Sequence, residues 1–173
     1  MAANDPSSLV VGARKVVVPA AQLLPQLMGS AFLAGWKMEE VSTLIEYLGV
    51  IEATPSTLLF REGEPGSFLA LVLEGSADIL KHDMKSGAKK LARVGPGMTF
   101  GEMAIIDGDP RSATCVCNEK SRFVTLTREN FVRLIREQPP LGVKLLLKVT
   151  TLLSRRLRAT SGQLIDALHN PTP

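Results

Sequence analysis

Between residues 50 and 126 the apolar residues come in short runs cut at close intervals by Gly and Pro. Phe68-Leu69-Ala70-Leu71-Val72-Leu73 and Ala77-Asp78-Ile79-Leu80 lie among Glu62-Gly63-Glu64-Pro65-Gly66, Glu74-Gly75-Ser76, Lys85-Ser86-Gly87 and Gly95-Pro96-Gly97. Runs this short leave no room for an ordinary helix, and turns this frequent suit strands. The texture restricts the region to an antiparallel barrel or sandwich. Aromatics are only 5% of the 173 residues, so its core must be mainly aliphatic.

Helical spacing brackets the strands on both sides. In residues 19–49 the apolar positions Leu23, Leu24, Leu27, Phe32, Val41, Leu44, Ile45 and Leu48, punctuated by Gly29 and Gly35, predict two or three short helices. Thr127-Arg128-Glu129-Asn130 predicts a capped helix start, and Pro139-Pro140 its end. Residues 141–169 hold no proline and only Gly142 and Gly162 as breakers. They predict one helix roughly 43 Å long, weakest at Gly162. The expected fold class is α+β: an antiparallel β-barrel or jelly roll (a double-stranded β-helix) flanked by N-terminal helices and a long C-terminal helix. The expected division is a flexible tail at 1–18, the barrel with its N-terminal helices at 19–138, and the long helix at 139–173.

Along that helix Leu146, Leu153, Leu157, Leu164 and Ala167, with Thr150 and Thr160, follow a diluted heptad. The helix outruns a small barrel, so a homodimer seam is expected; the alternative is a helix lying on its own barrel. The cluster Arg155, Arg156, Arg158 reads as a solvated face. The formal charge of +3 is weak support for nucleic acid.

Other classes find little footing. Lys144 and Lys148 interrupt the Leu-rich stretch 141–153, and the N-terminus shows no basic start followed by an apolar run. A soluble, cytoplasmic protein without a membrane segment is expected. Cys115 and Cys117 are expected to be reduced thiols pointing to opposite faces of a strand. His82 and His169 are too few for a metal-binding cupin, and no Ser-His-Asp or Cys-His set can be assembled. Neither enzyme activity, metal nor cofactor is expected. One domain fills the length, so no output domain of normal size is expected.

The segment Phe100-Gly101-Glu102-Met103-Ala104-Ile105-Ile106-Asp107-Gly108-Asp109-Pro110-Arg111-Ser112-Ala113-Thr114 carries the chemistry. A glycine allows a sharp turn, residues 102–107 can form one helical turn with exposed amides, and the following Gly and Pro bring Arg111 back toward it. An arginine beside a helix start and the Ser112 hydroxyl suits a phosphate. Glu102 would oppose a phosphate unless it meets another part of the ligand, and an acceptor-only carboxylate suits sugar hydroxyls. Phosphate plus sugar is a nucleotide. The plainer alternative is that Glu102 and Arg111 pair and staple the loop.

The string resembles the phosphate-binding cassette of the cyclic nucleotide-binding domain family, whose pattern is met by residues 100–104 and 111–114. Phe60-Arg61-Glu62-Gly63-Glu64 and residues 71–77 resemble its barrel strands and turn. The resemblance implies that Arg111 binds the cyclic phosphate, Glu102 the ribose 2′-hydroxyl, and the backbone around Gly101, Met103, Ala104, Ser112 and Ala113 the rest of the cradle. Ser67 and Ala70 depart from the acidic and aromatic residues common there, and are read as repacking. Arg155-Arg156-Leu157-Arg158-Ala159-Thr160-Ser161 is similar to the stretch in which a Thr-Ser pair reads adenine, the serine coming from a partner subunit. By that match Thr160 and Ser161 are base readers, or else tolerated polar residues on a helix face. Leu91 and Val94 match apolar positions beside base and sugar, which core packing explains equally well.

The expected ligand is cAMP, with cGMP or cyclic di-GMP as alternatives. The expected role is a sensor whose C-terminal helices move on binding and act on a downstream effector protein. Alternatively the chain is a fragment or homologue of a cAMP-responsive regulator or channel. DNA-binding members carry a helix-turn-helix after the long helix, and only residues 170–173 follow here, so DNA is not expected.

Overall fold

A computed structural model describes residues 10, 12–83 and 87–169. Residues 1–9, 11, 84–86 and 170–173 lie outside the described residues; within the expected tail 1–18, Val10 is buried and Ala13–Lys15 pair with residues 51–53.

The chain folds as α+β, with two antiparallel sheets. Strands β1 (Ala13–Lys15), β2 (Gly49–Ala53), β9 (Ser121–Thr127), β4 (Phe68–Glu74) and β7 (Thr99–Phe100) form one sheet in that order. The order in the other is β3 (Leu58–Phe60), β8 (Thr114–Cys117), β5 (Ala77–Asp83), β6 (Gly87–Val94). Helices α1 (Ala20–Met28) and α2 (Met38–Ile45), with a 3-10 turn at Ala31–Leu33, precede the strands. A short α3 (Glu102–Ile106) interrupts them, and α4 (Arg128–Glu137) and α5 (Pro139–His169) follow.

Strand β4 explains the arrangement. Its alternate residues Phe68, Ala70 and Val72 face the interior between the sheets, with Phe60, Phe100 and Phe123. Leu69 and Leu71 face the opposite way, into a second cluster with Leu27, Val41, Leu44, Leu134 and Leu145 from the helices. A strand buried on both faces reads as a continuous apolar run, which is why residues 68–73 do not alternate. Cys115 and Cys117 both point into the first cluster. This corrects the expectation of opposite faces, because residues two apart on a strand share one side. Burial pushes the Cys115 thiol up, away from the reactive thiolate.

The Thr127 hydroxyl accepts from the Asn130 amide at 3.1 Å and caps α4. Pro139 and Pro140 stop α4 and begin α5, where the missing N–H groups cost nothing. Gly142 lets the two helices close: a Cβ there would lie 2.8 Å from the Ile135 backbone. Helix α5 runs 31 residues without a break at Gly162, about 46 Å. Its first half buries Leu141, Leu145 and Val149, at about 2 kcal/mol per side chain.

The same packing corrects the expected seam. Leu146 and Leu153 pack against the chain's own core. Leu157 and Leu164 of that seam are exposed, and the other large exposed apolar residues of α5 are Val143, Leu147, Ile165 and Leu168. No helix among the described residues is long and apolar enough to cross a membrane.

Candidate functional site

The cassette is built on β7 and its partner. Phe100 pairs with Ala70 of β4, so the chain leaves the sheet at Gly101 with its direction set. Gly101 adopts φ +80, in the left-handed region that favours glycine, and α3 follows. A Cβ on Gly101 would lie 2.5 Å from Arg111 Nη1 and 2.8 Å from the Phe68 carbonyl oxygen. Glycine is therefore required twice there, for conformation and for space. Gly66 does a similar service from the β3–β4 loop, since a Cβ there would overlap Ala104.

Arg111 is delivered by the turn after α3. Its amide donates to the Glu64 carbonyl at 2.8 Å, and its own carbonyl accepts from Gly63 at 2.9 Å. The guanidinium lies 4.0 Å from the Phe60 ring centroid and 4.6 Å from that of Phe68. Among the described residues its one hydrogen bond runs from Nη1 to the Gly101 carbonyl at 3.3 Å. Arg111 is 4% exposed, and its Nε has no partner. Burial lowers its pKa to about 10, so it stays charged at neutral pH. A buried cation without a carboxylate partner is costly. It becomes favourable when an anion arrives.

Glu102, 3% exposed, does not pair with Arg111. Arg156 Nη1 of α5 donates to both carboxylate oxygens at 2.8 Å, and Arg156 Nη2 donates to the Thr99 carbonyl at 2.6 Å. The Thr99 hydroxyl also donates to Glu102. This excludes the loop staple and corrects the reading of Arg156 as part of a solvated face. The signal for it lay in spacing: Arg156 continues the stripe Leu145, Val149, Leu153, and a cation in the register of a buried stripe calls for a buried partner.

The structure brings together Gly101, Glu102, Met103, Ala104, Arg111, Ser112 and Ala113. Ala104 and Ala113 are buried, whereas Met103 is exposed and its sulfur accepts from the Ser112 hydroxyl at 3.6 Å. Lys81 of β5, which sequence reasoning missed, donates to the Ser112 carbonyl at 2.8 Å and to Glu62. Val94 is buried between the sheets, while Leu91 stands 62% exposed on edge strand β6. Core packing therefore accounts for Val94 and not for Leu91. Ala70 is wholly buried between the sheets. Thr160 and Ser161 are exposed on α5, and the Ser161 hydroxyl donates to the Leu157 carbonyl at 2.9 Å. No hydrogen bond among the described residues joins them to the cassette. No group of side chains among the described residues could hold a metal.

A two-sheet roll with an unpaired guanidinium at its centre, and a carboxylate held from a long helix, defines a small-molecule-binding domain with a preformed cation. The model of the Cyclic nucleotide-binding domain family matches residues 50–138, just over half the chain, and the chain belongs to that family. It is 33% identical over 132 residues to the Cyclic AMP receptor protein of Thermus thermophilus, covering 76% of this chain and 59% of that protein. It is 30% identical over 103 residues to the cAMP-dependent protein kinase regulatory subunit of Aspergillus niger, covering 60% of this chain and 24% of that one. A solved cyclic nucleotide-binding domain from Methylobacillus flagellatus is similar at TM-score 0.79 and 30% identity, over 90% of this chain and 89% of that one. The chain spans 59% to 64% of the length of the bacterial receptor and regulator it resembles.

Proposed function

We propose that this chain is a cAMP-binding regulatory sensor, without catalytic activity, that works as a homodimer through α5. The observation that carries the reading is Arg111: a nearly fully buried guanidinium with an unpartnered Nε beside the start of α3. A cyclic phosphate would supply the missing anion, held by parallel hydrogen bonds from Arg111. Glu102 would accept from the ribose 2′-hydroxyl, and the backbone of Gly101, Met103, Ala104, Ser112 and Ala113 would line the cradle. The relatives named for cAMP support that ligand over other cyclic nucleotides.

Thr160 and Ser161 would read adenine. Both lie one turn or so beyond Arg156, the residue through which α5 touches the cassette. Ligand at Glu102 therefore meets the same carboxylate that holds α5, which supports transmission through that helix. Positions 143, 147, 150, 154, 157, 161, 164 and 168 of α5 are all exposed and alternate spacings of four and three. That heptad, with Val143, Leu147, Leu157, Leu164 and Leu168 as its apolar members, favours a second copy of α5 as its cover. Ser161 falls on this seam, where it would reach the partner's ligand.

Calorimetric titration of cAMP, cGMP and cyclic di-GMP in parallel, with sedimentation of the same samples, tests the reading. cAMP should bind most tightly to a dimer. Absence of binding by all three would overturn the function, and a monomer under every condition would remove the seam.

A further inference from the structure

Beyond nucleotide binding, α5 borders a second concavity. A groove of about 530 Å³ runs between this helix, the turn at residues 31–36 and the backbone of residues 97–99. That volume falls within the roughly 300–1,000 Å³ of ordinary ligand sites. Phe32 and Trp36 form its apolar wall, and Lys144, Lys148, Arg155 and Arg156 line its helical side. From Lys144 to Arg155 the cations extend along about 16 Å of helix.

Their partners differ. Lys144 is engaged by Glu40 and lies 5.0 Å from the Trp36 ring centroid, and Arg156 is engaged by Glu102. Lys148 and Arg155 make no ion pair or hydrogen bond among the described residues. Over its whole length α5 carries Lys144, Lys148, Arg155, Arg156 and Arg158 against the single acid Asp166. The groove thus presents two uncompensated cations next to two that already hold carboxylates.

We infer that this groove is the docking site for an acidic, extended peptide segment of a partner protein. The Glu40 contact supplies the chemistry: a carboxylate on a lysine ammonium, above buried aromatic surface. Lys148 and Arg155 repeat the cation further along, and Phe32 offers an apolar contact beside them. Trp36 is 6% exposed and covered by Lys144, so it offers no platform for stacking a base. This speaks against nucleic acid as the occupant. On the helical wheel the groove residues Lys148, Thr151 and Arg155 lie roughly 120° from the heptad stripe, so a dimer seam leaves them open. Leu147 marks the boundary between the two faces.

The test uses the full chain and a fluorescein-labelled peptide of about eight residues, Glu alternating with Leu, long enough to follow the cations. Fluorescence anisotropy should show saturable binding that weakens with added salt. Lys148→Glu combined with Arg155→Glu should weaken it about tenfold or more, and Lys148→Gln with Arg155→Gln should weaken it less. Circular dichroism and cAMP titration of both variants check the fold and the nucleotide site, and should be unchanged. Peptide affinity equal in wild type and the reversed-charge variant would overturn the assignment. So would tighter binding by a short DNA duplex or by inorganic tripolyphosphate with the same residue dependence. Failure of cAMP to bind wild type would overturn the proposed function and leave the groove standing.

Discussion

The carboxylate of Glu102 is held by Arg156, 54 residues further along the chain, at 2.8 Å, while Arg111 lies in the same cassette without a carboxylate of its own. The two opposite charges of the cassette are thereby kept apart, one satisfied from α5 and one left without a carboxylate. In the proposed function Arg111 supplies the anion site, and Glu102 connects that site to the long helix.

Removing Arg156 should loosen α5. Arg156→Ala leaves the buried Glu102 carboxylate with the Thr99 hydroxyl alone. The Arg156 side chain is 38% exposed, so the cost is discounted from that of a fully buried pair to about 1–2 kcal/mol. Scanning calorimetry should show a melting temperature lower by about 3–6 °C. An unchanged value would mean that the contact contributes no net stability.

Replacing Arg111 should separate binding from folding. Arg111→Met fills the space between Phe60 and Phe68 without a charge. Removing an unpaired buried cation is neutral or stabilising for the apo protein. Nucleotide affinity should fall about 100-fold or more, as charge-assisted hydrogen bonds to the phosphate are lost. Isothermal titration and thermal melts of one preparation give both numbers, and retained affinity would remove Arg111 from the site.

Gly101→Ala should damage both the fold and the site. The new Cβ meets Arg111 Nη1 and the Phe68 carbonyl, at a φ of +80. Backbone strain alone costs about 1–2 kcal/mol. The displaced guanidinium should cost about tenfold in nucleotide affinity as well. Gly35→Ala is the control, since its φ is +82 but nothing lies within 4 Å. It should lower stability and leave affinity alone.

The exposed face of α5 carries a separable prediction. Leu157→Asp places a charge in the heptad stripe and should shift sedimentation toward monomer. Thr160→Ala and Ser161→Ala should reduce the ratio of cAMP to cGMP affinity, by about tenfold at most for the loss of hydroxyl hydrogen bonds. A ratio equal to wild type in both variants would dismiss them as base readers.

Asp78 gives a pH dependence. Hydrogen bonds from the Arg93 guanidinium of β6, then from Lys90 and Asn118, hold its carboxyl well below the usual carboxylate range. Between that depressed value and the unfolded value of about 3.9, the unfolded chain binds the proton more readily. The contribution of Asp78 is therefore full above about pH 5 and is lost as the pH falls below about 4. Urea unfolding of Asp78→Asn should differ from wild type at neutral pH, with the gap narrowing in acid. A constant gap would place the effect outside this carboxylate.

Much of this architecture was legible because it depends on neighbours in the chain. Gly and Pro placed the turns, Thr127 announced α4 as its cap, and the dense string from Phe100 to Thr114 announced the cassette. Leu146 and Leu153 misled, since a leucine two turns along a helix looks the same whether it meets its own core or a second copy. Arg156 misled for a related reason. Flanked by Arg155 and Arg158 it looked solvated, and only the approach of α5 to β7 supplied its carboxylate.

By itself, then, the sequence determined the element types, the turn at Gly101 and the residues of the cassette, all of which follow from local backbone preference and spacing. The tertiary structure alone decided that Glu102 turns to α5 and not to Arg111, that Arg111 stays buried and unpaired, and which face of α5 remains open. Those outcomes depend on contacts between segments far apart in the chain, where packing chooses among partners that local pattern leaves equivalent.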